Sequence, residues 1–217
     1  MENIEKQKIN NLDVQNLNIV DKNGNVKMTL FSNGNVPPAK MDGKDILPGH
    51  RQNDPISGVM FYNGEGDECG GLIFGSEKRE NGDYHSGLSL TFDQYKQDQI
   101  VQILVDDHNG EQTYGFHIYD RPSTPLTEIL KMSNNIQTIE NETDKQKAFE
   151  KLSEKSHQRI FMGKNRNGDV SVRLNDSKGK ERIRMLIDSN DVPRMEFLDD
   201  QGRVIYSLPP AQDTEKH

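Results

Sequence analysis

The chain has 217 residues, a formal net charge of −8, 31% apolar residues and a single cysteine, Cys69. That length fits one fairly large β domain or two small ones, and one cysteine excludes an internal disulfide or a cysteine-rich zinc site. No eighteen-residue apolar run and no charged-then-apolar start occurs, so no membrane span or secretory signal is expected and a reducing cytosol is the expected location.

The opening stretch MENIEKQKINN is polar. From residue 17 onward one unit recurs: a short run alternating apolar and polar residues, a turn with Asn-Gly or a similar pair, and a second such run. The clearest copies are LNIVDKNGNVKMTL (17–30), VQILVDDHNGEQTYGFHIY (101–119), IFMGKNRNGDVSVRL (160–174) and MEFLDDQGRVIYSL (195–208), with looser copies at 61–74 and 172–186. Glycine supplies the positive φ that a tight hairpin turn needs. Alternation with period two, as in Val26, Met28 and Leu30 or Ile183, Met185 and Ile187, describes strands with one wet face. IVQILV (100–105) is apolar at both parities and is expected to be a central strand covered on both sides.

Between the hairpins, residues 33–55 are rich in Gly, Pro and Asp and read as a long loop. Residues 124–156 break the strand pattern and read as a helical insertion of two short helices. Thr124-Pro125 is an expected N-cap and first-turn proline, and Thr143 with Gln146 an expected capping box. Burial of Ile129, Leu130, Phe149 and Leu152 favours packing of these helices across a barrel mouth over a protruding arm. The expected fold is therefore mostly β: a single domain over 1–208 with the helical insertion, whose serial hairpins close as a barrel or a propeller-like ring so that no edge is left open, followed by a disordered tail from 209. A two-sheet sandwich is the third option.

Charge is unevenly spread. Residues 56–122 carry four Lys or Arg against twelve Asp or Glu, whereas residues 159–208 carry ten against eight. The acidic middle excludes nucleic acid as its main partner, because duplex binding requires a basic surface. Arg159, Arg173, Arg182 and Arg184 read as a solvated strand face.

Two motifs stand out, FYNGEGDECGGLIFG (61–75) and FDQYKQDQ (92–99). Through them the chain resembles an uncharacterised bacterial protein family with the signatures F-Y-N-x-E-G-x-E-x-G-G-L-I-[FY]-G and F-D-Q-Y-x-Q-D-Q. The resemblance covers residues 17–122 well and the later hairpins more loosely, and it implies no activity.

The candidate ligand-binding residues are Glu65, Asp67, Glu68, Asp93, Gln94, Asp98, Gln99, Asp120 and Arg121. Buried amides and carboxylates must be paired, so those of 93–99 either tie adjacent hairpins together or line a polar cavity. The spacing of the acidic residues in EGDECGG and DDHNGEQ does not match a calcium loop, and the D-x-N-G sequences follow from hairpin geometry alone. No metal ligand and no cofactor are assigned. Cys69 reads as a small buried apolar residue, since neighbouring carboxylates disfavour a thiolate. His85 and His108 lie at turns, and His117 is expected on the wetter strand face.

Two function classes follow. One is a non-catalytic binding or assembly module for a protein or small-molecule partner, with no nucleic acid or membrane involved. The alternative is an enzyme using carboxylate acid/base groups in a cavity formed by 61–75 and 90–122. Convergence of Glu68, Asp93 and Arg121 on a pocket, with a raised carboxyl among them, favours the enzyme; dispersal into turn hydrogen bonds favours the module. A homo-oligomer built through the helical segment or an unpaired edge is compatible with both.

Overall fold

The computed structural model describes residues 8–210. Residues 211–217, most of the expected tail, lie outside the described residues. In chain order the elements are β1 (Asn16–Val20), β2 (Val26–Phe31), β3 (Lys40–Met41), β4 (Lys44–Asp45), β5 (Ile56–Tyr62), β6 (Glu68–Lys78), β7 (Tyr84–Asp93), β8 (Gln99–His108), β9 (Glu111–Asp120), α1 (Leu126–Gln137), α2 (Glu142–Ser153), β10 (His157–Lys164), β11 (Val170–Asn175), β12 (Glu181–Ile187), β13 (Pro193–Leu198) and β14 (Val204–Leu208). None of the described helices is long and apolar enough to cross a membrane.

Twelve strands form one antiparallel sheet in the order β1-β2-β5-β6-β7-β8-β9-β10-β11-β12-β13-β14, and β3-β4 make a separate small hairpin. The protein is mostly β and built from serial hairpins. No barrel closure or ring of separate blades is found: pairing is continuous from β1 to β14, and these two strands do not pair with each other.

The turns explain the meander. Asp21, Asp176, Asp188 and Asp199 each open a turn and accept backbone N–H bonds from residues two and four further on, at 2.9–3.1 Å. Asn63 does the same for Glu65 and Asp67. The glycine three positions on, as in Gly24, Gly179 and Gly202, then takes a positive φ. Most turns are thus longer than a two-residue loop, with the side chain of an Asp or Asn organising them. The exceptions are β3-β4, where Asp42 (φ 52) and Gly43 (φ 71) form the turn, and β8-β9, where Asn109 (φ 55) and Gly110 (φ 90) form the tight turn that an Asn-Gly pair favours.

Residues 33–55 are more structured than a plain loop. They carry β3 and β4, lay Val36 into the core cluster with Phe31, Met60 and Tyr62, and bury Ala39 and Met41. The helical insertion also departs from expectation. Pro125, not Thr124, precedes the first turn of α1 without a side-chain cap, and Asn141, not Thr143, caps α2 by accepting from Asp144 N at 3.1 Å. The two helices pack on each other, make no extensive contact with any strand, and contain no fully buried residue. They form a helical hairpin beside the sheet, because their apolar stripes are just wide enough to cover one another.

Register gives the sheet two very different faces. On one, Leu17, Leu30, Val59, Leu72, Leu90, Ile103, Phe116, Met162, Val172, Met185, Met195 and Leu208 are successive cross-strand partners, one per strand. A parallel row two residues away runs from Ile19 through Met28, Phe61, Gly70, Phe92, Val101, Ile118, Ile160, Leu174, Ile183 and Phe197 to Tyr206, broken only by Gly70. On the opposite face the intervening row reads Asn18, Thr29, Met60, Gly71, Thr91, Gln102, His117, Phe161, Arg173, Arg184, Glu196 and Ser207.

Candidate functional site

The singled-out residues gather at one end of the sheet, where the β5-β6 and β7-β8 turns and the end of β9 lie side by side. There they divide into three groups. Glu65 and Asp67 surround Lys96: the ammonium lies 3.2 Å from Glu65 and 3.7 Å from Asp67, and it also pairs with Asp42. Asp67 is 1% exposed, and its other oxygen accepts from Asp42 N at 2.7 Å. Burying a carboxylate is tolerable only with such partners, and this group fastens the 33–55 segment to two turns.

Asp98, Gln99 and Arg121 form the second group with Gln94. Arg121 donates through Nε to the Gln99 carbonyl at 2.8 Å and lies 3.3 Å from Asp98. Gln94 donates to the Pro122 carbonyl at 3.0 Å, and Gln97, which is buried, donates to the Thr124 carbonyl at 2.7 Å. Asp120 points away and pairs with Arg159 at 2.5 Å.

Glu68 and Asp93 belong to a cleft of about 540 Å³ between the 39–51 segment and the non-apolar sheet face, which Asp98 and Gln99 also line. Arg51 closes one wall, donating to both Glu68 oxygens at 2.9 and 2.5 Å and to the Pro37 carbonyl at 2.8 Å. Asp93 has no such partner. Burial, then the Glu68 and Asp98 carboxylates, push its carboxyl up to about 7 against the opposing pull of Arg121 and Arg51. A cleft carboxyl titrating near neutrality has the acidity that proton transfer requires. The neighbouring Cys69 thiol is raised by burial and by Asp93 and Glu68, so it is held as thiol. His117 does lie on the polar row but is buried there, accepts at Nδ1 from the Gln158 side-chain amide at 2.7 Å, and has its pKa lowered by burial.

Arg51 carried no sequence signal, because its partner is seventeen positions away through an irregular segment. The second site missed is the apolar face itself. Ile103, Met162, Met185 and Phe92 are 45%, 52%, 47% and 51% exposed although each lies on an interior strand or beside one. Neither the helices nor the 33–55 segment covers them. IVQILV is thus a central strand, but the chain covers only one of its faces.

The sequence matches no protein-family model and no curated protein.

Proposed function

We propose that this chain is a non-catalytic assembly module that associates with further copies of itself over the apolar face of its sheet. The observation that carries this reading is the register: two rows, each crossing all twelve strands, place apolar residues on one face with a single glycine interruption. A third partial row, Phe74, Leu88, Val105, Tyr114, Lys164, Val170 and Ile187, brings in one charge, that of Lys164, and further charges, Asp107 and Lys78, stand only toward the end of the face.

A broad face whose two central rows carry no charge is self-complementary, and obligate homo-oligomers bury apolar surfaces of this kind. Monomers rarely expose more than a few hundred Å² of contiguous apolar surface. The unpaired β1 and β14 edges point the same way, since the closure that one chain does not make is available between copies. Sedimentation equilibrium at micromolar concentration tests the reading. A discrete oligomer supports it, and a stable monomer with this face open to solvent overturns it.

A second reading, an enzyme using carboxylate acid/base groups, is favoured by Asp93 alone, because the other cleft carboxylates are held by Arg51 and Arg121. A thermal-shift screen against metabolites distinguishes the two: a ligand that stabilises the protein, and no longer does so in Asp93→Asn, supports the enzyme.

A further inference from the structure

A second cluster lies at the opposite end of β7 and β8, away from the cleft. His85 and His108 are direct cross-strand partners, and Asp106 lies two residues before His108 on the same face. The two imidazoles stack with centroids 4.0 Å apart and planes 9° from parallel. Both Nε2 atoms point at one oxygen, Oδ1 of Asp106, at 2.9 Å from His85 and 3.2 Å from His108. The three donor atoms all lie within 4.8 Å of one another.

From this geometry we infer that His85, His108 and Asp106 form a binding site for a divalent transition-metal ion of the zinc class. Zinc bonds imidazole nitrogen and carboxylate oxygen at about 2.0–2.1 Å, so the edges of its coordination polyhedron measure about 2.9 Å when octahedral and about 3.3 Å when tetrahedral. The two imidazole–carboxylate separations, 2.9 and 3.2 Å, fall in that range, and the two imidazole nitrogens lie within 4.8 Å of each other. Two imidazoles and one carboxylate select zinc, copper, nickel or cobalt over calcium or magnesium, which require oxygen donors.

The site also has supporting structure. Arg166, from the β10-β11 turn, donates to the second oxygen of Asp106 at 2.8 Å and turns Oδ1 toward the imidazoles. Outer partners of this kind orient metal-binding carboxylates. Along the same register Glu77 faces His85 and Glu111 faces His108, so a Glu-His-His-Glu row crosses four strands and adds negative charge around the ion. Three protein donors leave at least one position to water. The strands fix the backbone of all three residues on a paired ladder, and the exposed imidazoles unstack by side-chain rotation to aim both ring nitrogens at one ion.

The test is titration of the untagged full chain with Co²⁺ and with Zn²⁺, followed by visible absorption and calorimetry. One equivalent per chain is expected, with d–d bands of nitrogen–oxygen coordination, displacement of Co²⁺ by Zn²⁺, and no competition from millimolar Mg²⁺ or Ca²⁺. His108→Ala and His85→Ala should each weaken binding at least tenfold, and Arg166→Ala about tenfold, all with unchanged circular dichroism. Absence of stoichiometric binding overturns the inference, as does binding that the His85→Ala/His108→Ala double variant retains or that Mg²⁺ competes away.

Discussion

Ile103 on β8 and Phe116 on β9 stand directly opposite each other on the apolar face, near the middle of a row that crosses every strand of the sheet. In the isolated chain nothing lies over Ile103. Replacing Ile103 and Met185 by lysine places two charges where a second copy would desolvate them, and each such charge costs several kcal/mol unless paired. The double variant is expected to shift the association constant at least 100-fold toward monomer in sedimentation equilibrium. The same substitutions leave the strands' hydrogen bonds intact, so the far-ultraviolet circular dichroism should persist.

The pair Arg51–Glu68 clamps the 33–55 segment to β6. Both side chains are mostly buried, at 15% and 20% exposure, so removing one strands the other in a poorly solvated place. Glu68→Ala is expected to lower stability by about 1–3 kcal/mol. Urea unfolding at fixed protein concentration measures this, and the Arg51→Ala/Glu68→Ala double variant should lose less than the sum of the two single variants.

Asp93 makes stability depend on pH in an unusual direction. Its folded carboxyl titrates at about 7, against about 3.9 in an unfolded chain. Between those values the folded state binds more protons than the unfolded one, so this residue's contribution to stability falls as pH rises from 4 to 7. Asp93→Asn removes that dependence. The variant should be more stable than the parent at pH 8, on the order of 2–4 kcal/mol, and equal to it near pH 3.5. Thermal unfolding across that range is the measurement, and parallel pH profiles for the two proteins would refute the assignment.

Gly115 and Gly163 are opposed across β9 and β10. A Cβ on Gly163 would fall onto the Tyr114 carbonyl oxygen, and one on Gly115 would come within 2.6 Å of the Met162 carbonyl oxygen. Backbone cannot yield as a side-chain tip does, so Gly163→Ala is expected to destabilise by about 1–3 kcal/mol. Gly24→Ala has open space around it and should cost only what its positive φ imposes, about 1 kcal/mol. Comparing the two by denaturant unfolding separates close approach from backbone strain.

Much of this molecule follows from local sequence. The alternation in VKMTL or RIRMLI is a strand with two unlike sides whatever it pairs with, and D-x-x-G is a turn because an aspartate caps it and a glycine accepts positive φ. The helical character of 124–156 follows in the same way, although its caps do not, since a cap depends on which of several polar residues the chain entry angle presents. The motifs single out Glu65, Asp67, Glu68, Asp93 and Asp98, but whether Glu68, Asp93 and Arg121 converge or disperse into turns is open from sequence. Their division into a lysine cage, an arginine pair and a cleft is not legible there, because Arg51, Asp42 and Lys96 reach them from distant segments. His85 and His108 looked like unrelated turn residues until the β7-β8 register set them side by side.

The sequence alone determined most of the strands, the places of their turns and, where apolar and polar residues alternate, the apolar side, because period-two patterning and turn chemistry act within about ten residues. Only the tertiary structure decided that all twelve apolar sides share one uncovered face and that Asp93 lacks a cation of its own. Both depend on register and on contacts between segments far apart in the chain, where free energy is set by which surfaces meet and not by the preferences of any one stretch.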